Sequence, residues 1–174
     1  MTAGAQQILA AIERWRGEHT GPLVVAIDGH GGAGKTTIAG QVGSALEALV
    51  VHTDDYFRDA QDGGDPRPMA QYYAWQALRE DALEPAIRCI GQEPSDSGPG
   101  RDVILVEGVS AAAPALADLI SRAVFVQTPE PLRLERLHGR ISDEEWDEEW
   151  LYAERLYFAS RPPDSFDLVV RGNA

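Results

Sequence analysis

Uninterrupted apolar runs alternate with segments of helical periodicity along the 174 residues of the chain. Such runs are typical of parallel strands buried on both faces, whereas apolar positions three and four apart indicate one face of a helix. Strands are therefore predicted at 22–28, 48–53, 102–108, 123–128 and 166–172. Helices are predicted at 6–15, 36–48, 72–90 with an interruption at Pro85, 129–138 and 143–159. The alternation predicts an α/β fold in a single domain, 1–174, with a parallel sheet of about five strands and helices on both faces.

The composition is that of a soluble globular protein, with 44% hydrophobic and 25% charged residues. The net charge of −13 opposes binding to nucleic acid and to anionic membrane surfaces, so neither is expected as a partner. The single cysteine, Cys89, excludes an internal disulfide and favours a reducing compartment; we expect it to pack on its helix. The N-terminus has no signal pattern and no apolar run reaches membrane-spanning length, so a cytoplasmic location is expected.

A glycine-rich segment between the first strand and the second helix has the pattern Gly29-x-x-x-x-Gly34-Lys35-Thr36. In this strand–loop–helix context the pattern is typical of a P-loop, whose backbone amides and helix N-terminus bind phosphate. Lys35 is the only lysine of the chain, and its compact ammonium suits the β- and γ-phosphates better than the wide fork of an arginine. The Thr36 hydroxyl is expected to bind Mg²⁺. The alternative is a glycine-rich turn without a ligand.

The predicted nucleotide-binding residues are Gly29, His30, Gly31, Gly32, Ala33, Gly34, Lys35, Thr36 and Thr37. Within this set the role of His30 stays open. Its side chain is a candidate for contact with a phosphate or an acceptor, and a solvent-exposed loop side chain is the favoured alternative.

Carboxylates follow three of the predicted strands, at the edge of a parallel sheet where ligands bind. Glu107 is a candidate Mg²⁺ ligand, directly or through water, with a turn carboxylate as the alternative. Asp54 and Asp55 follow the second strand, and only one of these neighbours should face the phosphates if the chain stays extended. A kinase needs such a carboxylate near the acceptor hydroxyl, and Asp54 is also a further candidate metal ligand. Asp28 is expected to fix the geometry of the loop rather than to catalyse.

Three arginines follow the fourth strand, Arg133, Arg136 and Arg140, and they share one face if the helix persists through Gly139. Arginines in such a position stabilise charge on a transferring phosphoryl group. Ion pairs with Glu130 or Glu135 are the alternative.

Aromatic side chains recur in two segments at helical spacing. The later set is interpreted as a packing stripe, with an acceptor pocket or a homodimer contact as alternatives, and comprises Trp146, Trp150, Ala153 and Tyr157. The earlier set is interpreted as helical core rather than a base-stacking surface, and comprises Tyr72, Tyr73 and Trp75.

Four segments stand in the chain in the order GHGGAGKTT, DDYFR, VEG and RLERLHGR. Together they resemble the uridine kinase-like branch of the P-loop kinases, which also includes nicotinamide riboside and pantothenate kinases. The likeness extends from the first strand to the closing FDLVVRG. It implies the three-layer P-loop NTPase fold, ATP and Mg²⁺ as cofactors, and phosphoryl transfer to a hydroxyl of a small molecule.

The same resemblance implies roles for individual residues. Asp54 takes the part of the catalytic base, and Arg136 and Arg140 are the arginines favoured to act beside Lys35 on the phosphoryl group. The residues implied to line the acceptor pocket are Asp55, Tyr56, Phe57 and Arg58.

The identity of the acceptor is less constrained by the sequence. Uridine kinases usually carry a Tyr-Asp pair and a His–Arg before the third strand, where this chain has only GQEPSDSGPGR. A nucleoside is the favoured acceptor, another small metabolite such as pantothenate, nicotinamide riboside or a sugar is the alternative, and an ATPase or nucleotide-binding module without organic acceptor is a third hypothesis. A GTPase is excluded, because its Asn-Lys-x-Asp motif needs a lysine other than Lys35.

Overall fold

The computed structural model describes residues 1–58, 69–92, 102–138 and 144–172. The loops predicted at 59–68 and 91–101 lie largely outside these ranges, as do Arg140 and the side chain of Trp146. None of the described helices is long and apolar enough to cross a membrane.

Five strands form one sheet in the order β2-β3-β1-β4-β5, and all of its pairings are parallel. The strands are β1 (Leu23–Asp28), β2 (Leu49–His52), β3 (Val103–Glu107), β4 (Arg122–Gln127) and β5 (Leu168–Arg171). Every residue of β1 and of β3 is buried, which explains why these strands read as continuous apolar runs. The predicted parallel sheet of five strands is confirmed.

Helices cover both faces of the sheet. On one face α1 (Ala3–Glu18) and α2 (Lys35–Leu46) pack on alternate residues of the central strand. On the other face lie α3 (Trp75–Ala77), α4 (Glu84–Gln92) and α6 (Glu144–Ser160). The remaining helix, α5 (Glu130–His138), follows β4 and lies against the loop after β1. The three-layer α/β architecture expected from the sequence is therefore present.

The helix predicted at 72–90 differs in detail from the prediction. It begins at Trp75 and passes through a π-helical turn at Leu78–Leu83, where the Glu84 N–H bonds to the Arg79 carbonyl. Pro85 does not break the helix, because the wider turn before it accommodates the missing N–H and the bulk of the proline ring. Cys89 is exposed rather than packed, since α4 turns other residues toward the core.

The parallel register brings three strand ends to one edge of the sheet. Ile27 of β1 pairs with Glu107 of β3, and Glu107 pairs with His52 of β2. The loop after Asp28, the Glu107 carboxylate and the turn containing Asp54 therefore meet at this edge, where α/β sheets bind their ligands.

Candidate active site

A cavity of about 530 Å³ opens at the carboxyl edge of the sheet. It is bounded by the glycine-rich loop, the ends of β2 and β3, and residues of α5 and α6. The predicted site residues that line it are Gly31, Gly32, Gly34, Lys35, Thr36, Thr37, Asp54, Phe57, Glu107 and Arg136. The predicted site residues of the described part that are not among its lining are Gly29, His30, Ala33, Asp55, Tyr56 and Arg58.

The glycine-rich loop curls over the N-terminus of α2. Gly32 and Gly34 have φ angles of 73° and 89°, a left-handed conformation that glycine adopts without steric cost. Lys35 is only 7% exposed, and its Nζ donates to the His30 carbonyl at 3.0 Å. Burial lowers the pKa of Lys35, while four carboxylates around it, those of Asp28, Asp54, Glu107 and Glu154, oppose that shift. The loop thus presents amides, a helix N-terminus and one ammonium to the same space, which suits phosphate groups.

Asp28 is a fully buried anchor for the loop. Its carboxylate accepts hydrogen bonds from the amides of Gly29 (2.7 Å), Ser110 (2.9 Å) and Ala112 (3.1 Å) and from the Tyr157 hydroxyl (2.8 Å). Burial raises the pKa of Asp28, and these hydrogen bonds work against that rise. Both oxygens are occupied, so the residue holds the loop, the segment after β3 and α6 together.

Glu107 and His52 form a pair that the motifs did not reveal. His52 Nδ1 lies 2.6 Å from Glu107 Oε1, because the two residues are opposite one another in neighbouring strands. The buried second oxygen of Glu107, Oε2, has no hydrogen-bond partner among the described residues. Gly108, next in the chain, has a φ of 145°, and a Cβ there would overlap the Thr53 side chain. This close contact brings the ends of β2 and β3 together.

The arrangement fits Mg²⁺ held jointly with phosphates. Glu107 and Thr36 both line the cavity, and carboxylate and hydroxyl oxygens are hard ligands of the type Mg²⁺ prefers. Within the described ranges, no group of three or more His, Cys, Asp or Glu side chains could hold a metal ion. Mg²⁺ sites built on one or two carboxylates and substrate phosphates need no such group.

Asp54 and Asp55 separate as predicted, although for a different reason. The extended chain ends at His52, and residues Thr53–Tyr56 form a 3₁₀ turn, so strand alternation does not apply. Both side chains are exposed, but Asp54 lines the cavity and Asp55 does not. Enclosure by protein raises the pKa of Asp54, and Lys35 is the main opposing influence. A carboxylate with a raised pKa beside a phosphate cradle suits a general base.

Aromatic rings line the cavity beyond Asp54. Phe57 and Trp150 both reach it, with ring centroids 5.9 Å apart. Behind them lie Tyr72 and Tyr73, which are buried, as expected for core residues. Of the predicted set only Trp75 is in an α-helix, since Tyr72 ends a 3₁₀ helix and Tyr73 lies between the two helices. The buried Trp150 and Ala153 and the partly buried Tyr157 confirm the packing stripe on α6 for the residues described. Trp150 therefore both packs on this stripe and lines the cavity.

Tyr56 and Arg58 are not among the residues that line the cavity. Tyr56 packs against the core, and Arg58 Nε donates to the Gln71 carbonyl at 2.9 Å. The backbone of residues 56–58 pairs with the backbone of residues 72–74. The prediction that Tyr56 and Arg58 line the pocket is therefore not met in this structure, because both side chains are engaged in holding that pairing or the core.

The arginines of α5 divide into two roles. Arg136 lines the cavity, and its Nη1 donates to the Gly32 carbonyl at 3.1 Å. Arg133 is buried and pairs with Glu130 and with Glu154, each at 3.2 Å, so the ion-pair alternative holds for that residue. Arg140 lies outside the described residues.

Glu154 is the residue that sequence reasoning missed most completely. It is fully buried, and it accepts a hydrogen bond from the Gly31 amide. His30, expected in solvent or at a phosphate, instead packs its ring 4.2 Å from that of Phe158, with Nδ1 3.1 Å from Glu154 Oε2. A signal existed, since Glu154 follows Ala153 on the apolar stripe of α6, where a lone carboxylate needs a buried partner.

Comparisons with known proteins agree with this geometry. No family model matches the chain. In sequence it is 27% identical over 147 residues to a uridine kinase of Lactiplantibacillus plantarum, an alignment covering 68% of each chain. In structure it is similar to a protein from Bacillus stearothermophilus described as a possible uridine kinase, with a TM-score of 0.68, 17% identity, and coverage of 95% of this chain and 96% of that one. Shikimate kinase of Bacteroides thetaiotaomicron gives a TM-score of 0.50 at 16% identity, with 86% of each chain covered. The chain therefore has the three-layer fold of P-loop kinases, and its resemblance to uridine kinase-like P-loop kinases is confirmed.

Proposed function

We propose that the protein is an ATP-dependent kinase that transfers the γ-phosphoryl group to a hydroxyl of a small molecule, with a nucleoside as the favoured acceptor. One observation carries the proposal. A single cavity is lined at one end by the phosphate-binding loop and at the other by the Asp54 carboxylate with the rings of Phe57 and Trp150. A nucleotide-binding module has no need of a carboxylate and an apolar pocket beside the phosphates.

In this proposal the loop amides and Lys35 hold the β- and γ-phosphates, and Thr36 with Glu107 holds Mg²⁺, with Asp54 as a further ligand. Bound Mg²⁺ neutralises charge on the phosphates during transfer. The His52 contact engages one oxygen of Glu107, and the other, Oε2, has no hydrogen-bond partner among the described residues. The loop is completed by Gly29, His30, Ala33 and Thr37. The contribution of His30 is its carbonyl, which accepts a hydrogen bond from Lys35 Nζ.

Asp54 is proposed to orient the acceptor hydroxyl and to take its proton as the oxygen attacks the γ-phosphorus. The bond from that phosphorus to the β–γ bridging oxygen breaks, and ADP leaves with the electron pair. Arg136, already at the rim of the loop, stabilises the charge that develops on the transferring group, and Arg140 is proposed beside it on the resemblance alone.

Phe57 and Trp150 are proposed to contact the acceptor through apolar and ring surface, which suits a planar base better than a charged group. Asp55 is proposed to act through its negative charge, which raises the pKa of Asp54. The likeness to a uridine kinase supports a nucleoside. We further propose that the chain, 1–174, forms one kinase domain in the cytoplasm.

The test is ADP formation from Mg·ATP with and without acceptors, across uridine, cytidine, nicotinamide riboside, pantothenate and neutral sugars. We expect a strong increase with one acceptor class, nucleosides first, and its loss in Asp54→Asn. Equal ADP formation with every acceptor and with none would support the ATPase hypothesis instead. A protein that consumes no ATP under any of these conditions would overturn the kinase proposal.

A further inference from the structure

One peptide unit of the phosphate-binding loop is held at both of its polar ends. The His30 carbonyl accepts from Lys35 Nζ at 3.0 Å, and the Gly31 N–H of the same peptide donates to Glu154 Oε1. A cation therefore lies at the negative end of the peptide dipole and an anion at its positive end. This arrangement fixes the plane of the His30–Gly31 peptide.

The loop needs such a restraint because two of its glycines offer little resistance to rotation of the adjoining peptide planes. Gly31 and Gly32 have no Cβ, so the peptides around them turn at little steric cost. Phosphate binding depends on the loop conformation that makes its N–H groups converge on the anion, and rotation of the His30–Gly31 peptide would break its contacts with Lys35 and Glu154 and change that conformation. The Gly32 carbonyl, two residues further along the loop, accepts from Arg136 Nη1 at 3.1 Å.

Glu154 is placed to restrain the loop without touching a ligand. It is fully buried and is not among the residues that line the cavity. Its second oxygen, Oε2, lies 3.2 Å from Arg133 Nη1 and 3.1 Å from His30 Nδ1. The Arg133 side chain is itself 5% exposed and also bonds to Glu130 at 3.2 Å. A buried carboxylate is tolerated only with such a partner, so Arg133 supplies the charge that lets Glu154 act as an acceptor.

We propose that Glu154 is a positioning residue for the phosphate-binding loop, which fixes the His30–Gly31 peptide and so sets the affinity of the site for the nucleotide's phosphates. This role deepens the proposed kinase function and rests on it. It also makes nucleotide affinity depend on α6, whose Glu154 lies 123 residues after Gly31 in the chain.

The first test compares Glu154→Gln with Glu148→Gln, the same substitution at an exposed position of the same helix. Calorimetric titration with Mg·ATP should show a Kd raised about tenfold or more for Glu154→Gln, the loss expected when one charge-assisted hydrogen bond is weakened. Glu148→Gln should bind as the wild type does. Equal affinity of the two variants would overturn the proposal.

The second test needs no nucleotide. Hydrogen exchange of the Gly31 amide, followed by NMR in the free protein, should be slow in the wild type and fast in Glu154→Gln, and the amide proton resonance should move upfield as its acceptor loses charge. A purely structural role would leave this one amide no more affected than others of α6. Unchanged exchange at Gly31 would overturn the proposal whatever the binding data show.

Two further variants separate positioning from loss of stability. Ile12→Ala, on the buried face of α1, should lower the melting temperature without raising the Kd for Mg·ATP. The double variant Glu154→Gln/Arg133→Met removes both buried charges, so it keeps the test open if Glu154→Gln alone does not fold. We expect it to fold with weak nucleotide binding and fast exchange at Gly31, and wild-type affinity in it would contradict the proposal. A wild-type protein that does not bind Mg·ATP would overturn the kinase function and this role together.

Discussion

At the scale of single residues, four carboxylates surround the one lysine, and their hydrogen bonds distinguish them. Asp28 and Glu154 use their oxygens to bind backbone amides and Tyr157 or Arg133. Asp54 and Glu107 line the cavity instead. The first two therefore shape the loop, and the second two are available for chemistry.

The first prediction concerns the two aspartates of the turn after β2. Asp54→Asn should lower turnover by about 10²–10⁴-fold, the usual cost of losing a positioned general base, while nucleotide affinity changes little. Asp55→Asn should be much milder, because Asp55 is not among the residues that line the cavity. Steady-state assays on the two variants check this with the best acceptor found. Greater damage in Asp55→Asn would contradict the assignment of the base.

A second prediction follows from the charge around Asp54. Although the Asp54 side chain keeps solvent contact, desolvation by the surrounding protein raises its pKa above the ordinary value of 3.8, the Glu107 and Asp55 carboxylates raise it further, and Lys35 and His52 lower it. A general base acts only when deprotonated, so kcat/KM should rise with pH through this pKa, with the acidic limb above pH 3.8. Asp55→Asn removes a like charge and should move that limb to lower pH.

The control for the pH profile is Glu148→Gln, which removes one exposed negative charge away from the cavity. Its acidic limb should coincide with that of the wild type. An acidic limb that Asp55→Asn leaves in place, or moves upward, would exclude Asp54 as the titrating base.

The placement of a residue at the cavity was predictable where a motif carries it and not where a tertiary contact does. Lys35 and Thr36 begin the helix of the P-loop pattern, Glu107 ends a strand, and all three line one cavity. His52 and Glu154 have no motif, because their partners are 55 and 123 residues away. Only the paired strands or a packed helix bring such residues together.

At the scale of secondary-structure elements, α6 acts as the support of the site. Three of its side chains contribute. Trp150 lines the cavity, Glu154 accepts a hydrogen bond from the phosphate-binding loop, and the Tyr157 hydroxyl donates to Asp28 at 2.8 Å. The sequence predicted the helix and its apolar stripe. It did not predict which polar groups on that stripe would be buried, because periodicity reports the face of a helix and not its neighbours.

The third prediction tests this support. Tyr157→Phe removes the hydroxyl that donates to Asp28 and should destabilise the protein by about 1–3 kcal/mol, the cost of leaving a buried acceptor short of a partner. Tyr152→Phe, at an exposed position of the same helix, is the matched control and should change stability little. Urea unfolding of both variants gives the comparison. Equal midpoints for the two would show that the Tyr157–Asp28 bond does not stabilise the fold.

At the scale of the whole molecule, the proposed nucleotide site belongs to a chain with a net charge of −13. Long-range attraction does not bring nucleotide to such a protein, so affinity has to come from the local cradle and from Mg²⁺. The alternation of strands and helices was enough to predict the fold class, but it did not predict the order of the strands in the sheet. Strand order depends on which apolar runs pair, and runs buried on both faces are too alike to specify it.

The fourth prediction is that Mg²⁺ stabilises the protein only together with ATP. Glu107 and Thr36 offer too few ligands for tight binding alone, and phosphate oxygens complete the set. At about 100 times Kd, Mg·ATP should raise the melting temperature by roughly 5–10 °C, while Mg²⁺ alone should leave it unchanged. Thermal unfolding with each addition separately and together provides the measurement. A comparable rise with Mg²⁺ alone would contradict a metal site that depends on nucleotide.

The most direct measurement is transfer of the γ-phosphoryl group from isotopically labelled ATP to uridine, followed by mass spectrometry of the nucleoside. The account predicts a labelled phosphomonoester on a uridine hydroxyl with the wild-type protein. It predicts none with Lys35→Ala, a variant that should stay folded but lose the ammonium at the phosphates. If label appears only in inorganic phosphate, or if Lys35→Ala transfers it as fast as the wild type, kinase action at this loop is contradicted.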